Sequence, residues 1–89
     1  MQKLQIAMTD YFHDENHFDK TYTDDEFNLK EFEVCNFSSC DFTSCNFIGV
    51  TFTDCTFTNC DFSGARINHV AFRSVSFIDC KVLDVNFSM

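Results

Sequence analysis

Six cysteines are the residues of this chain with the widest chemistry, because thiols form disulfides, bind zinc and act as nucleophiles. All six stand at positions divisible by five, namely Cys35, Cys40, Cys45, Cys55, Cys60 and Cys80. Zinc sites pair their cysteines at short spacings such as CxxC, so a spacing of five fits no common zinc pattern. The shared register indicates one structural role, in which a buried thiol serves as a small apolar side chain.

Two histidines are the second candidate for chemistry, because His13 and His17 have the four-residue spacing of a zinc-binding helix. The segment reads His-Asp-Glu-Asn-His, so no glutamate directly follows the first histidine, and no third ligand is evident. We interpret both as solvated residues, and we expect His69 at a surface turn. Since no nucleophile–base pair, phosphate loop or cofactor motif is present, the sequence predicts a non-enzymatic protein without metal or cofactor.

A period of five governs most of the chain, and such a repeat decides the fold. Every fifth residue from Tyr22 to Phe87 is apolar, and eleven of these fourteen centres are Phe. The centres are Tyr22, Phe27, Phe32, Phe37, Phe42, Phe47, Phe52, Phe57, Phe62, Ile67, Phe72, Phe77, Val82 and Phe87. From Phe37 onward, a smaller apolar residue stands two residues before each centre: Cys35, Cys40, Cys45, Val50, Cys55, Cys60, Ala65, Val70, Val75, Cys80 and Val85.

This period fits neither a helix nor a flat strand. A helix would scatter every fifth residue around its axis, and a strand would place residues i and i+5 on opposite faces. A chain that turns a corner every five residues keeps both apolar columns inside, and four corners close a coil of twenty residues. The Ser, Asn, Asp and Gly residues two positions after the centres suit such tight turns.

A coil of twenty residues also predicts which residues stack. It places Cys35 on Cys55, and Cys40 on Cys60 and Cys80, within the reach of a disulfide, although we expect free thiols in a reducing cytoplasm. Two Thr-Phe-Thr segments, at 51–53 and 56–58, raise the alternative of an ice-binding threonine face. The residues twenty positions on break that array, being Ala71, Arg73, Ser76 and Ile78.

The repeat resembles the pentapeptide repeat family, whose unit is Ala-(Asp/Asn)-Leu-x-x. Matching units are Cys-Asn-Phe at 35–37 and 45–47, Cys-Asp-Phe at 40–42 and 60–62, Cys-Thr-Phe at 55–57 and Val-Asn-Phe at 85–87. The resemblance is strong over 35–89 and weak over 22–34. It implies an all-β fold, a right-handed quadrilateral β-helix of about three coils with an N-terminal cap.

The Phe-rich units are similar to the quinolone-resistance (Qnr-type) branch of that family. This resemblance implies a DNA-mimicking protein that binds a type II topoisomerase, either DNA gyrase or topoisomerase IV, and protects it from fluoroquinolones. A different class stays open beside it, a structural or protein-interaction module with an unknown partner. Fold alone does not decide between them.

We expect residues 1–21 to be out of frame and to form a cap, with Phe12 or Phe18 covering the layer of Phe27 and Phe32. Residues 22–89 form the β-helix, with 22–34 as an irregular first coil. Met8 is an alternative start to Met1. The chain stops in frame just after Phe87, so we expect either a truncated piece or an end covered by a homodimer.

The formal charge of −8 is unevenly divided, with −6 over residues 1–34 and −2 over 35–89. Acidity argues against direct nucleic-acid binding and favours a basic protein partner. The acids of the regular coils are the candidates to face it: Asp41, Asp54, Asp61, Asp79 and Asp84. No signal peptide or membrane span is evident, so we expect a cytoplasmic protein without membrane contact.

Overall fold

The computed structural model describes residues 11–68 and 70–82, which contain short β-strands joined by tight corners. The strands are β1 (Tyr11–His13), β2 (Asn16–Phe18), β3 (Thr21–Asp24), β4 (Glu31–Glu33), β5 (Asn36–Ser38), β6 (Asp41–Ile48), β7 (Thr51–Thr53), β8 (Thr56–Thr58), β9 (Arg66–Asn68), β10 (Ala71–Arg73) and β11 (Ser76–Ile78). No helix in this described part is long and apolar enough to cross a membrane.

The strands stack into three parallel sheets that share one register of twenty residues. The sheet orders are β1-β4-β7-β10, β2-β5-β8-β11 and β3-β6-β9. Phe12 pairs with Phe32, Phe32 with Phe52, and Phe52 with Phe72. A chain that returns to the same column every twenty residues is a four-sided coil, and the all-β quadrilateral β-helix predicted from the sequence is confirmed.

The corners are made by residues in the left-handed region, at intervals of five. Positive φ angles between 48° and 77° occur at Asp14, Asp19, Asp24, Leu29, Val34, Ser39, Gly49, Asp54, Asn59, Gly64, Ser74 and Asp79. Asp, Asn and Gly tolerate this conformation best, which explains the column of turn residues in the sequence. Ser44, predicted at such a corner, lies inside the longer strand β6 instead.

Aromatic rings fill the inside of the coil. Along the axis they stack with nearly parallel planes, as in Phe42 on Phe62 at a centroid distance of 4.8 Å and an interplanar angle of 11°. Around each coil they meet edge to face, as in Phe57 and Phe62 at 5.2 Å and 77°. Both arrangements are favourable for aromatic pairs. The centres from Phe27 to Ile67 are buried, and so are the smaller residues from Cys35 to Ala65.

Toward the C-terminal end the predicted columns become exposed. Phe72 is partly buried, whereas Phe77 is 45% and Val82 48% exposed. Val70, Val75 and Cys80 are partly buried. The predicted positions Asp84, Val85, Phe87 and His69 lie outside the described residues.

The frame of the repeat begins earlier than residue 22. Strand β1 pairs with β4 and strand β2 with β5, so Phe12 and His17 occupy centre positions above Phe32 and Phe37. Because Phe18 lies four residues before Tyr22, the sequence predicts a break in the frame there, with residues 1–21 outside it. Phe18 instead points outward and is 67% exposed. Residues 1–10, the rest of the predicted cap, lie outside the described part of the chain.

One side of the first coil is irregular. Asp25–Leu29 form turns in place of a strand, and the pairing of β3 with β6 shifts between Thr21 and Thr23. The Glu26 carboxylate accepts a hydrogen bond from the backbone N–H of Thr23 at 2.8 Å, which closes this segment like the capping box of a helix.

Candidate functional site

The acidic residues are distributed along the axis of the coil, and their density falls from one end to the other. Each coil takes twenty residues, so coil 1 is 11–30, coil 2 is 31–50, coil 3 is 51–70, and 71–82 begin coil 4. Coil 1 holds six acids and two Lys, a net charge of −4. Coil 2 holds three acids and no base, a net of −3. Coil 3 sums to −1 and the described part of coil 4 to +1.

The sequence predicts a net charge of only −2 for the regular coils, residues 35–89, and the structure corrects this value. Because strands β1, β2 and β3 stack in the coil, the acids between Asp14 and Glu33 project from the same scaffold as the later repeats. We call the acids of coils 1 and 2 the acidic end. Its members are Asp14, Glu15, Asp19, Asp24, Asp25, Glu26, Glu31, Glu33 and Asp41.

Several carboxylates of the acidic end are fixed by hydrogen bonds. The hydroxyl of Tyr11 donates to Glu33 across the coil boundary, and this hydrogen bond is the main reason why the pKa of Tyr11 is raised. Asp25 accepts from the side-chain amides of Asn28 at 3.1 Å and Asn46 at 3.3 Å. Such contacts limit the side-chain motion that a partner would otherwise have to suppress on binding.

Of the five acids predicted to face a partner, the four in the described part of the chain lie on different parts of the coil. Asp41 and Asp61 stack on one side, and Lys81 follows them in the same column. Asp54 lies at the corner after β7, and Asp79 lies at the corner after β11. The structure therefore brings Asp41 and Asp61 together, whereas Asp54 and Asp79 lie at separate corners.

Asp41 and Asp61 also have a local structural role. Asp41 accepts hydrogen bonds from the backbone N–H of Thr43 at 2.9 Å and from its hydroxyl at 2.7 Å. Asp61 accepts from the backbone N–H of Ser63 at 2.9 Å. Hydrogen bonding by Ser63, from its backbone and then its side chain, holds the pKa of Asp61 below its ordinary value.

A signal for the missed acids was present in the sequence. Stepping back by fives from Tyr22 reaches His17 and Phe12, and the turn column continues through Asp24, Asp19 and Asp14. The column of apolar centres is interrupted at His17. The column of aromatic rings of either polarity continues through His17 to Phe12, two units further.

His17 is held by a small hydrogen-bonded network. Its ring stacks on Phe37 at a centroid distance of 4.8 Å. Nε2 lies 3.1 Å from Glu15 Oε1, and Nδ1 lies 2.8 Å from the hydroxyl of Tyr22. A carboxylate only accepts, so Nε2 donates to it, and in the neutral ring Nδ1 accepts from Tyr22. Burial raises the pKa of Tyr22 to about 12, so this hydroxyl stays protonated.

The thiols are free and mostly buried. Each thiol of the two stacked series lies near a backbone carbonyl of the preceding coil, as Cys60 Sγ lies 3.3 Å from the oxygen of Phe37. Burial raises the pKa of Cys45 and of Cys60 to about 12, which suppresses the reactive thiolate. In the described residues, no group of three or more His, Cys, Asp or Glu is arranged to hold a metal ion.

The C-terminal end of the described coil carries an apolar cavity of about 300 Å³. It is lined by Phe62, Ile67, Phe72, Phe77 and Val82. The lining has no polar group that could orient a substrate, which distinguishes it from ordinary small-molecule sites. The cavity lies where the stacks of rings end in the described part of the coil.

Comparison with known proteins identifies the repeat. Residues 35–73 match the family model for pentapeptide repeats, with eight copies. No curated protein sequence is detectably similar to the chain.

Solved structures share its fold. A trypsin-treated variant of QnrB1, a plasmid-mediated fluoroquinolone resistance protein, matches with a TM-score of 0.69 and 18% identity, over 84% of this chain and 46% of that one. Full-length QnrB1 gives 0.69 and 22%, over 73% and 33%. A second trypsin-treated variant gives 0.67 and 19%, over 83% and 47%.

This chain therefore spans between a third and a half of the length of those structures. At such identities the likeness concerns the fold. The matched repeats, the twenty-residue coil and its ring stacks together show that residues 35–73 of this chain are pentapeptide repeats.

Proposed function

We propose that this chain is a non-enzymatic, DNA-mimicking binder of a type II topoisomerase, either DNA gyrase or topoisomerase IV, and that it protects the enzyme from fluoroquinolones in the cytoplasm. The observation that supports this proposal is the charge density of the acidic end. Coils 1 and 2 together carry a net charge of −7. At the strand spacing of about 4.8 Å, two coils rise about 10 Å, so their charge density is about one per 1.4 Å.

Duplex DNA carries about one negative charge per 1.7 Å of its axis. A surface that binds DNA through its phosphates would therefore meet a similar field at the acidic end. The carboxylates project from a coil with buried, stacked rings, so the field is presented by a rigid body. The fold shared with QnrB1 adds support from a protein whose name connects it with fluoroquinolone resistance.

The experiment is a gyrase supercoiling assay in the presence of a fluoroquinolone, with the chain titrated in. We expect the chain to restore supercoiled plasmid in a concentration-dependent way. No recovery by a folded chain, as judged by a β-type circular dichroism spectrum, would remove the topoisomerase proposal for this chain.

A pair of matched double variants locates the binding surface. Asp14→Asn with Asp19→Asn removes two charges from the acidic end, while Asn keeps the left-handed corners possible. Asp54→Asn with Asp79→Asn makes the same change in the same two corner columns, on coils 3 and 4. We expect the first variant to lose protection and the second to keep it. The reverse result would instead favour Asp54 and Asp79, which the sequence predicted to face the partner.

A second candidate is a structural or protein-interaction module with another partner. Coils 3 and 4 favour it, because the small net charge of their described residues suits a spacer. Self-association at the apolar C-terminal end is part of this candidate, and the predicted homodimer would bury Phe77 and Val82. Gyrase-independent capture of one specific partner, with no recovery of supercoiling, would favour the module.

A further inference from the structure

Two consecutive corners of the coil carry apolar residues where the other described corners carry turn formers. Twelve described residues have a positive φ, and all except Leu29 and Val34 are Asp, Asn, Ser or Gly. Left-handed backbone disfavours both of these side chains, and a β-branched one most. Core burial does not offset this, because Leu29 is 70% and Val34 41% exposed. Residues in such strained conformations cluster at functional sites, so these two corners point to a contact outside the coil.

The two corners flank one strand. Leu29 precedes β4 and Val34 follows it. Because Phe32 at the middle of β4 is buried inside the coil, Glu31 and Glu33 point outward on either side of it. Strand β4 pairs with β1 on one side and with β7 on the other, so this surface lies within the sheet and not at its end. We call Leu29, Glu31, Glu33 and Val34 the β4 strip.

The next coil leaves room for the first of these corners. Gly49 stands beside Leu29 in the corner column, and a Cβ atom at Gly49 would come within 2.8 Å of Leu29 Cδ2. The backbone N–H of Leu29 donates to the carbonyl of Ile48 at 2.9 Å, and the side chain of Ile48 is 41% exposed. Leu29 and Ile48 therefore share an exposed apolar corner on one side of β4, and Val34 forms another on the opposite side.

A groove of about 410 Å³ lies on the outer face of the same sheet. Its lining includes Tyr11 of coil 1, Glu31 and Glu33 of coil 2, Thr51 and Thr53 of coil 3, and Arg73 of coil 4. Carboxylates and an aromatic ring attract a guanidinium or ammonium group. Arg73 stands two coils beyond β4, about 10 Å along the axis at the usual strand spacing. The groove therefore suits a basic side chain at the level of β4.

We propose that the β4 strip is a contact surface for the type II topoisomerase, which places a basic side chain in the groove and apolar side chains against Leu29 and Val34. The inference rests on the proposed function and adds a second kind of contact to it. The carboxylates match a basic partner in charge. The apolar corners make a contact that phosphates cannot make, so they would favour this chain over duplex DNA.

The experiment is calorimetric titration of DNA gyrase and of topoisomerase IV with the full chain at several salt concentrations, with thermal unfolding of each variant. Leu29→Asn with Val34→Asn removes both apolar corners, keeps the charge and suits the left-handed backbone. We expect its melting temperature to rise by about 5 °C, while its affinity falls about tenfold with an unchanged salt dependence. A purely structural role of the two corners would not weaken binding in a more stable protein.

Matched variants separate the parts of the strip. Leu29→Met with Val34→Ile keeps the corners apolar and should keep the affinity. Ser74→Asn, in the same corner column as Val34, should change neither stability nor binding. Glu31→Gln removes one charge from the groove, so we expect binding about threefold weaker and less dependent on salt.

The outcomes separate this inference from the proposed function. If the unchanged chain binds in a salt-dependent way and the Asn double variant binds equally well, the strip is overturned and the proposed function stands. A lower melting temperature for the double variant would mean that the chain itself covers these corners, and this result would also overturn the strip. Absence of binding to both enzymes by the unchanged chain would overturn the strip together with the function on which it rests.

Discussion

At the scale of single residues, position within the five-residue unit determines what a side chain does. A centre places its ring inside, the residue two before it fills the remaining space, and the residue two after it turns the corner. Val34 and Leu29 occupy corner positions with φ of 58° and 63°. Neither residue is suited to the left-handed region, and a β-branched side chain is suited least.

Val34→Asn should therefore stabilise the protein by about 1 kcal/mol, since Asn tolerates this conformation. The side chain is 41% exposed, so little apolar burial is lost. Thermal unfolding followed by circular dichroism measures the change. Asn59→Val, the reverse exchange at a corner with φ of 55°, should destabilise it by a similar amount. An equal or lower melting temperature for Val34→Asn would argue against strain at this corner.

The thiols give a second prediction at this scale. Burial raises the pKa of Cys35, Cys45, Cys55 and Cys60, so their alkylation in the folded protein should be slow at neutral pH. Cys80 is more accessible and should react first. Mass spectrometry of iodoacetamide adducts, with and without denaturant, checks this order. Rapid modification of Cys55 or Cys60 in the native state would contradict the buried positions.

Asp61 gives a prediction for pH. Its pKa is lowered in the folded state, mainly by hydrogen bonding from Ser63. A lowered pKa means that the ionised form stabilises the fold above the ordinary value of 3.8, and this stabilisation is lost as the pH falls through the folded-state pKa. Asp61→Asn should lose less stability on acidification than the unchanged protein. Asp54→Asn, which also removes one negative charge, is the control. If the unchanged protein, Asp61→Asn and Asp54→Asn lose stability equally on acidification, the ionised Asp61 does not stabilise the fold.

At the scale of strands and coils, the sequence predicted the architecture because the period of five has one physical solution. The buried run from Phe27 to Ile67 and the corners at Gly49, Asp54 and Asn59 follow from it directly. The start of the frame did not follow, because the ring at His17 is polar and its burial depends on partners that are five and twenty residues away. The straight passage of β6 through Ser44 did not follow either, and it lies beside the register shift in the neighbouring strand β3.

The position of His17 at a centre can be tested against His13, which lies on the same coil but follows a centre and is exposed. His17→Ala removes a ring stacked on Phe37 and leaves the Tyr22 hydroxyl without its partner, so a loss of about 1–3 kcal/mol is expected. His13→Ala, at an exposed position, should change stability by less than about 0.5 kcal/mol. Denaturant unfolding of the two variants provides the measurement. Equal effects would mean that coil 1 does not stack as described.

At the scale of the whole molecule, the fold converts a charge imbalance along the sequence into a gradient along an axis. The sequence showed that the first third is acidic. It did not show that these acids stand on stacked coils, and this placement is what gives the acidic end a density close to that of duplex DNA. Coils 3 and 4 extend the same scaffold with little net charge.

The central claim is that the acidic end occupies a DNA-binding surface of gyrase. The most direct measurement is displacement of a fluorescent duplex from gyrase by this chain, read as a fall in anisotropy at several salt concentrations. We predict displacement that weakens as salt rises. It should be about tenfold weaker for the Asp14→Asn, Asp19→Asn variant, if each surface charge contributes about 0.7 kcal/mol. The Asp54→Asn, Asp79→Asn variant should match the unchanged chain. Gyrase binding that leaves the duplex in place, or that ignores both salt and the Asp14 and Asp19 changes, would contradict the claim.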